Sequence, residues 1–529
     1  MNRPVAVGAP QGVLRCVAPA TGAVLGTVPI DDAASVRAAV ARARAAQAGF
    51  RHTNLDARAR LLGRLADAIV DRIETICEWV LTDAGKTREH ALMGEVWPVL
   101  EKLRWTIRHG ARHLAPEPVS AGLFVHKRAR LEYHPLGVVG AIVPWNYPFQ
   151  NLLGPVITGL FTGNAVVVKP SEHVAWSSEK IARLVRGVLR DAGYDPDLVQ
   201  IVQGEGPTGR ALIEAGIDGL LFIGSVQNGK KVLAAAAERV IPVVLELGGK
   251  DPFIVCDDAD LEQALHAAMA GCFISAGQNC VAAERLLVHQ AVYDDFVEKL
   301  GAKVRALRQA PPSLDAVVDV GASTTPAQRA IVERLVDDAV ARGARVVAGG
   351  PQAPRPAEGT FYPPTLLADV DPSMAIFREE VFGPVLCVTK VVDDEQAIEL
   401  ANATDYGLGA SVFSKDLARA RRIAERIEAG MVTINDFGGM SYMAQELTFG
   451  GVKASGYGRM NGRDGLRAFC RQKSVLDEPV ALGIAHELFP VAPGDYGRML
   501  GVVRLLYGRG PLRRLRGAAR LLRRIGPSS

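Results

Sequence analysis

The sequence predicts an α/β protein with two doubly wound parallel-sheet domains. Short apolar runs alternate with helical patterns from residue 137 to about 250, and a second alternating series follows from about 251 to 445. Strand, helix and strand at this spacing imply right-handed crossovers and therefore parallel sheets. A chain of 529 residues, 48% of them apolar and 22% charged, is also too long for one hydrophobic core.

The chain before the first series is predicted to be mostly helical. Apolar residues at three- and four-residue steps predict helices at 31–49 and 56–83, with Asp56 as a candidate N-cap of the second. A Pro-Glu-Pro breaker at 116–118 ends a further helical stretch, and residues 123–134 alternate like an exposed strand.

The first alternating series has the pattern of a nucleotide-binding domain. Its predicted strands are 138–143, 165–168, 199–202 and 220–223, and its predicted helices are 150–161, 176–192, 207–214 and 226–238. The second series predicts helices at 260–270, 291–306, 325–342, 394–402 and 416–428, a strand at 385–392 and a Pro- and Gly-rich loop at 349–364.

The net charge of +4 is concentrated in the C-terminal tail. Residues 481–529 contain nine arginines against Glu487 and Asp495, a balance of +7, so the rest of the chain carries about −3. Apolar residues recur between these arginines and predict a basic amphipathic helix: Leu512, Leu515, Ala519, Leu522 and Ile525. Four glycines argue against one long rigid helix: Gly501, Gly508, Gly510 and Gly517. Such a tail could dock on the protein's own acidic surface or on a partner subunit, lie on an anionic membrane, or bind nucleic acid; we expect no nucleic-acid partner.

The seven cysteines form no C-x-x-C pair and no group with histidine at metal-ligand spacing. We therefore predict a reducing compartment and no metal site. The N-terminus lacks the continuous apolar segment of a signal peptide, and no run of about 18 apolar residues occurs. These features predict a cytoplasmic protein, peripheral at a membrane if the tail binds one.

Cys280 is the candidate nucleophile. A thiol is partly ionised even at a free pKa of about 8.5, and neighbouring donors raise that fraction. The small residues 275–279 precede it and suit a turn that exposes the sulfur beside backbone N–H groups. An arbitrary buried cysteine is usually an inert small hydrophobic residue, so this prediction depends on the surrounding motifs.

Residues at strand ends are candidates for binding a nucleotide. Residues 204–209 fit G-x-G-x-x-G, but no acidic residue follows at about 20 residues, so a tight turn is favoured over direct phosphate binding. Lys169 and Glu172 follow the predicted strand at 165–168, at the edge where parallel sheets hold ligands. A lone lysine there could equally be solvated.

Seven ordered stretches within residues 15–478 resemble the aldehyde dehydrogenase superfamily. Two of them are Glu-Leu-Gly-Gly-Lys-Asp-Pro at 246–252 and Gly-Gln-Asn-Cys at 277–280. The others are Pro-Trp-Asn-Tyr-Pro (144–148), Lys-Pro-Ser-Glu (169–172), Phe-Ile-Gly-Ser (222–225), Glu-Val-Phe-Gly-Pro (380–384) and Phe-Gly-Gly-Val-Lys (449–453). Ile-Asn-Asp-Phe at 434–437, Met-Ala-Gln at 443–445 and a long tail are similar to the plant family 22 enzymes and their fungal relatives.

The resemblance implies three catalytic residues. Cys280 would attack the aldehyde carbonyl, and the Asn146 amide with the Cys280 N–H would stabilise the oxyanion, worth roughly 3 kcal/mol in comparable sites. Glu246 would then act as general base on the water that releases the acid. Taken alone, Asn146 could be a turn amide and Glu246 could pair with Lys250.

It also implies a nicotinamide dinucleotide, with pyrophosphate at the turn 222–225. The implied contacts are Lys169, Glu172, Gly224, Ser225, Leu247, Glu380 and Phe382. Because a carboxylate at position 172 repels a 2′-phosphate, NAD is favoured over NADP.

Two departures from the family pattern predict a different tunnel wall and put one proton relay in doubt. Met460 stands where members have glutamate in Gly-Arg-Glu, and no lysine precedes Gly154-Pro155. Glu246 is retained, whereas members that pass the acyl group to coenzyme A typically lack it. We therefore expect hydrolysis to the free acid.

The implied domains are a NAD-binding domain at 1–120 and 142–250, a catalytic domain at 251–447, an oligomerisation arm at 121–141 and 448–480, and the basic extension 481–529. A homodimer or homotetramer is expected, with segments near 121–136 and 466–478 pairing between subunits. The leading hypothesis is a NAD-dependent aldehyde dehydrogenase. A catalytically silent scaffold or membrane-associated binding protein and a coenzyme A-acylating enzyme are the alternatives.

Overall fold

The computed structural model of the chain describes residues 12–483 and 489–522, except for the side chain of Leu522. Contacts divide it into two compact units: residues up to 117 with 131–474, and residues 118–130 with those from 475 onward. Every residue of the candidate site described below lies in the first unit. The domain boundaries given above remain predictions.

The N-terminal part contains an antiparallel strand pair and five helices. In order these are β1 Val13–Val17, β2 Val24–Pro29, α1 Ala33–Phe50, α2 Leu55–Val70, α3 Ile73–Ala84, α4 Arg88–Ala91 and α5 Trp97–Leu114. A π-helical turn, Leu92–Val96, joins α4 to α5. Strands β3 Glu117–Val119 and β4 Arg128–Pro135 follow.

The predicted helix at 56–83 is wrong as a single element. The chain leaves the helical conformation at Arg72 (φ −128°, ψ 21°), so α2 and α3 are separate. The apolar pattern crosses the break because both helices bury residues in the same core, among them Leu65 and Ile76. Asn54, not Asp56, caps α2: its side chain accepts the Ala57 N–H at 2.8 Å.

The first alternating series forms a six-stranded sheet. Its parallel strands are β5 Val138–Ile142, β6 Ala165–Lys169, β7 Val199–Ile201, β8 Gly219–Gly224 and β9 Val243–Leu247, with helices α6 Pro148–Thr162, α7 Ala175–Asp191, α8 Gly206–Glu214 and α9 Val226–Ala237. A late strand, β17 Gly456–Tyr457, adds antiparallel to β9 and gives the order β17-β9-β8-β5-β6-β7. The predicted strands and helices are confirmed. The crossover from β5 leads to β6 on one side and the crossover from β8 leads to β9 on the other, so a topological switch point lies between β5 and β8, where such sheets bind ligands.

The second series forms a seven-stranded sheet in the order β12-β13-β14-β11-β10-β15-β16. The strands are β10 Asp251–Val255, β11 Ala283–His289, β12 Arg345–Ala348, β13 Thr365–Ala368, β14 Val385–Val391, β15 Gly409–Phe413 and β16 Met431–Ile434. The helices are α10 Leu261–Phe273, α11 Tyr293–Arg305, α12 Pro326–Ala341, α13 Ala375–Arg378, α14 Asp394–Asn402 and α15 Leu417–Ala424. All pairs are parallel except β12 with β13. The predicted elements are confirmed, except that the helix expected to reach 428 ends at Ala424.

A three-stranded sheet combines β3 and β4 with β18 Cys470–Asp477, which follows α16 Gly462–Arg467. The expected pairing of the segments near 121–136 and 466–478 between subunits is corrected, because one chain already pairs β4 with β18. Complementary charges accompany this pairing: Arg130 forms an ion pair with Asp477, and Lys127 with Glu478 at 3.6 Å.

The described part of the tail forms two helices, α17 Asp495–Tyr507 and α18 Pro511–Leu522. They approach closely at two glycines, since a Cβ on Gly517 would lie 2.8 Å from the Gly501 carbonyl oxygen. The break at Gly508–Gly510 confirms that the tail is not one rigid helix. The predicted repeat continues to Ile525, which lies outside the described residues. Among the helices that are described, none combines the length and apolar character needed to cross a membrane.

Candidate active site

A cavity of about 600 Å³ opens at the carboxyl ends of β5, β6, β8 and β9. Its wall includes all ten residues predicted from the motifs: Asn146, Lys169, Glu172, Gly224, Ser225, Glu246, Leu247, Cys280, Glu380 and Phe382. These residues come from segments separated by more than 200 positions, so the fold brings together what the sequence keeps apart. Their individual roles are taken up under the proposed function.

Cys280 lies in a constrained turn between α10 and β11. Ser275 and Ala276 both have φ of 55°, and Gly277 has φ of 73°. Residues other than glycine rarely adopt this left-handed backbone conformation, which costs about 1–3 kcal/mol for each of them. Surrounding contacts must therefore hold the turn. Gly277 is required, because a Cβ there would lie 2.1 Å from the Gly383 carbonyl oxygen.

Gln278 provides the contacts that hold this turn. Its side-chain Nε2 donates to the Ser275 carbonyl at 2.9 Å, and its Oε1 accepts the Thr324 N–H at 2.8 Å. His90 Nδ1 accepts the Ser275 N–H at 3.1 Å, and burial lowers the His90 pKa to about 4, which keeps that nitrogen free to accept. The thiol is thus positioned by buried polar groups that local sequence patterns do not reveal.

Asn146 stands in the loop between β5 and α6, with its amide beside the Cys280 turn. Its Nδ2 donates to the Gln278 carbonyl at 3.0 Å, and its Oδ1 accepts from Asn151 Nδ2 at 3.2 Å. Asn146 is therefore more than a turn amide, because it joins the loop after β5 to the segment that carries the thiol.

The start of α6 is fixed by a buried ion pair that the motifs did not indicate. Glu95 Oε2 accepts the N–H groups of Phe149 and Gln150 at 3.0 and 2.9 Å, and Glu95 Oε1 lies 2.8 Å from Lys86 Nζ. Burial lowers the Lys86 pKa to about 8 although the Glu95 charge opposes this. The pair holds the helix that follows Asn146.

Glu246 on β9 is almost completely buried, and its Oε1 has no hydrogen-bond partner among the described residues. Burial raises its pKa to about 8. Burial also raises the Cys280 pKa well above its ordinary value, and the negative charge of Glu246 raises it further. The thiol and the carboxyl are therefore close enough to control each other's ionisation.

The alternative pairing of Glu246 with Lys250 is wrong. Lys250 Nζ instead lies 2.5 Å from Glu284 Oε2. Glu284 also accepts the N–H groups of Val381 and Phe382, each at 2.9 Å. This buried carboxylate therefore fixes the segment that presents Glu380 and Phe382 to the cavity.

Two further contacts complete that segment. Phe382 has φ of 51° and packs edge-on against Trp145, with ring centroids 5.4 Å apart. Glu380 Oε1 accepts the Gly249 N–H at 3.1 Å. Burial, followed by the charge of Glu284, raises the Glu380 pKa to about 8. A carboxyl and an aromatic ring are thus held rigidly beside Cys280's cavity.

The opposite end of the cavity has the donors that a dinucleotide requires. Lys169 is the last residue of β6, and its Nζ lies 3.5 Å from Glu172 Oε2. Burial raises the Glu172 pKa, but the Lys169 charge and the hydrogen bonds to Glu172 lower it by more, so the pKa is below its ordinary value. Ser225 caps α9 by accepting the Asn228 N–H at 3.4 Å, so the helix N-terminus faces the cavity beside Gly224. These groups fit a ribose diol and a pyrophosphate.

The G-x-G-x-x-G stretch does not line this cavity. Gly204 has φ of 151°, and Thr208 Oγ1 donates to the Asp31 carbonyl at 3.0 Å. A Cβ on Gly204 would lie 2.1 Å from that hydroxyl oxygen. The glycine permits a tight strand-to-helix turn, which supports the preferred interpretation of this stretch.

Met460 lines the cavity at the position where the resemblance led us to expect glutamate. It packs, like Cys280 and Tyr442, against a buried apolar cluster that includes Phe449. The adjoining Asn461 accepts from Lys102 Nζ at 2.7 Å, and burial lowers the Lys102 pKa to about 8. An apolar group thus replaces the expected carboxylate at this side of the cavity.

Comparisons with known proteins agree on one family. Residues 7–475 match the profile described as the aldehyde dehydrogenase family. An aldehyde dehydrogenase-like protein of Saccharomyces cerevisiae is 42% identical over 87% of this chain and 74% of its own length. A 4,4′-diapolycopene aldehyde oxidase of Methylomonas is 37% identical over 94% of this chain and 91% of its own.

Further relatives carry a stated cofactor. An NADP-dependent succinate-semialdehyde dehydrogenase of Mycobacterium avium is 38% identical over 86% of this chain and 95% of its own. A Mycobacterium tuberculosis aldehyde dehydrogenase crystallised with NAD+ has a TM-score of 0.83 and 31% identity over 90% of this chain and 96% of its own. Sequence and fold similarity therefore extend over nearly the whole chain before the tail.

Proposed function

The chain belongs to the aldehyde dehydrogenase family and is an oxidoreductase that acts on aldehydes; we propose that Cys280, Asn146 and Glu246 carry out its reaction. The observation that carries this proposal is that the three side chains line one cavity together with Glu380 and Phe382. A silent scaffold has no need of a strained turn that presents a thiol beside a buried carboxyl.

In the proposed reaction the Cys280 thiol releases its proton to solvent, and the sulfur forms a bond to the aldehyde carbon as the C=O π bond breaks. The Asn146 amide and the Cys280 N–H stabilise the oxygen as it becomes an oxyanion. When bound, the nicotinamide cofactor would supply the acceptor for the hydride of this carbon, and loss of that hydride leaves a thioester on Cys280. Glu246 takes a proton from water, which adds to the thioester carbon; the C–S bond then breaks, releasing the acid and restoring the thiol. The presence of Glu246 favours water over coenzyme A as the acceptor of the acyl group.

We propose that NAD is preferred over NADP. The ionised Glu172 would accept hydrogen bonds from ribose hydroxyls and repel a 2′-phosphate, with Lys169 as its neighbour. Gly224 and Ser225 would contact the pyrophosphate, Leu247 would be a further contact, and Glu380 with Phe382 would hold the nicotinamide end. The similar proteins include one named for NADP and one crystallised with NAD+, so the proposed preference for NAD depends on the residues of this chain.

The test is the rate of reduced cofactor formation from an aldehyde panel with NAD or NADP. We expect kcat/KM for NAD to exceed that for NADP by about tenfold or more, since one repulsive contact is worth roughly 1.4 kcal/mol or more. The Glu172→Gln variant is expected to raise kcat/KM for NADP and so to lower the ratio of kcat/KM for NAD to that for NADP. Exposed Glu238→Gln on the same domain is the matched control. A ratio unchanged by Glu172→Gln contradicts the proposed role, and no turnover with either cofactor contradicts the function.

We propose a homodimer or homotetramer, as expected for this family. Leu123 and Val125 are 61% and 93% exposed, so the segment before β4 offers an apolar contact surface. Light scattering of the purified chain measures the assembly, and a monomer at micromolar concentration contradicts it.

We also propose peripheral association of the tail with an anionic membrane. Seven exposed arginines lie in the described tail, against the single carboxylate of Asp495: Arg498, Arg504, Arg509, Arg513, Arg514, Arg516 and Arg520. Large apolar side chains stand exposed among them, including Tyr496 (76%), Leu512 (71%) and Leu515 (65%). Basic residues near an anionic surface contribute about 1 kcal/mol each, and the apolar side chains add burial in the interface.

Vesicle sedimentation tests this association. We expect the full chain to bind vesicles that contain anionic lipid and to bind neutral vesicles at least about tenfold more weakly. The triple variant Arg513→Gln, Arg514→Gln, Arg516→Gln is expected to lose binding and keep aldehyde oxidation. The matched control replaces Arg183, Arg190 and Arg210, which lie on the first sheet's helices. A chain cut after residue 480 that binds as well as the full chain would contradict the proposal.

A further inference from the structure

We infer that the substrate is an apolar aldehyde with an extended hydrocarbon part, and not an aldehyde that also carries a carboxylate. This inference rests on the proposed function and names the substrate class for the same cavity. It is carried by the apolar residues that line the cavity near Cys280 and by the place of the basic lining residues beside Glu172.

Methionine is concentrated in this wall. Four of the nine methionines in the chain line the cavity: Met93, Met440, Met443 and Met460. They come from three distant segments, which are the π-helical turn before α5, the short helix Gly438–Met443 and the bridge between Phe449 and Met460. Methionine is unbranched and polarisable and adapts to apolar ligands of irregular shape.

Aromatic rings complete the apolar wall around the thiol. Tyr442 and Phe449 pack edge to face with centroids 5.1 Å apart, in the same cluster as Cys280 and Met460. Phe437 also lines the cavity. The carbon next to the reacting carbonyl would therefore be surrounded by side chains that gain by excluding water.

The opening of the cavity is apolar as well. Met93 and Met440 are 49% and 43% exposed, while each also lines the cavity. Exposed large apolar side chains at a cavity entrance mark a binding groove. A hydrocarbon chain too long for the interior could thus continue along this opening in contact with methionine.

A carboxylate on the substrate would find no cation in this part of the cavity. Lys169 and His173 are the basic residues in the described lining, and both flank Glu172 at the cofactor end. Lys102 is near Met460 but lines a separate small cavity, and its ammonium is bonded to Asn461 at 2.7 Å. A carboxylate placed beside Phe449 and Met460 would lose solvation without gaining a cation as partner, which is unfavourable.

The test is kcat/KM of the full chain for propanal, hexanal, decanal and succinic semialdehyde at saturating cofactor. We expect a rise of roughly threefold per added methylene over the first part of the series. Succinic semialdehyde is expected to fall at least about 100-fold below hexanal. Equal or better use of succinic semialdehyde overturns the inference while leaving aldehyde oxidation intact. No oxidation of any aldehyde overturns the proposed function and this inference with it.

A gain-of-function variant separates specificity from a general defect. Met443→Arg places a cation in the wall and is expected to raise kcat/KM for succinic semialdehyde relative to decanal by about tenfold or more. Met443→Leu keeps the wall apolar at similar volume and is expected to retain the wild-type ratio. Should the leucine variant shift the ratio as far as the arginine variant, charge is not what the wall selects against.

Discussion

A Cys280→Ser variant is expected to lower kcat/KM for aldehyde oxidation by about 1,000-fold or more. A serine hydroxyl is far less ionised than a thiol, and the turn would present it to a carboxyl that already resists ionisation, since burial raises the Glu246 pKa to about 8. Oxygen and sulfur differ little in size, so the turn held by Gln278 should survive. Initial rates of reduced cofactor formation measure the effect.

Cys470→Ser is the matched control for this loss. Like Cys280, Cys470 is a free cysteine of intermediate exposure, but it lies at the start of β18 and does not line the cavity. We expect it to retain the wild-type rate. Thermal unfolding of both variants shows whether a change in rate reflects a folding defect. Full activity of Cys280→Ser in a folded protein would remove the nucleophile from the proposed mechanism.

Local periodicity was sufficient to predict four strands of the first sheet, one strand of the second and most of the helices that follow them. Strands such as β6 are buried on both faces, and their continuous apolar runs are bounded by turns, so the pattern is unambiguous. Periodicity did not reveal the break at Arg72. Helices α2 and α3 bury their apolar residues in the same core, so the apolar pattern continues in phase across the break. No helix was predicted over Asp495–Tyr507, which forms α17. Gly501 of this helix packs closely against Gly517 of α18.

The resemblance to the aldehyde dehydrogenase family predicted ten residues that line the cavity, because the motifs that carry it are contiguous in the chain. The contacts that position them could not be predicted, because they join residues far apart in sequence. Glu284 stands 97 and 98 positions before the N–H groups it accepts, at Val381 and Phe382. The four methionines of the cavity likewise share no spacing. Only the fold shows that Lys250 has a partner other than Glu246.

The pH dependence of turnover provides a second test of the mechanism, through Glu246. Because burial raises the pKa of this carboxyl to about 8, it binds a proton as pH falls through that value and is then unable to take one from water. Wild-type kcat is therefore expected to rise between about pH 7 and 9. The Glu246→Gln variant has no such group and is expected to lose this rise, together with about 100- to 1,000-fold of kcat.

Glu246→Gln should affect release of the acid more than attack by the thiol. The negative charge of Glu246 raises the Cys280 pKa, so a neutral amide of the same shape removes that charge and leaves more thiolate at a given pH. We expect a rapid burst of about one reduced cofactor per active site, followed by slow turnover. Hydroxylamine is expected to accelerate the slow phase, because it attacks the thioester in place of water.

Two results would contradict this division of labour between the carboxyl and the thiol. One is wild-type turnover by Glu246→Gln, which would mean that another group activates water; Met460 offers no carboxylate on its side of the cavity. The other is slow turnover without a burst, which would place Glu246 in the attack step as the base for the thiol. A rise in kcat that persists near pH 8 in this variant would assign the titration to a group other than Glu246, and Glu380 in the same cavity is the candidate, because burial raises its pKa to about 8 as well.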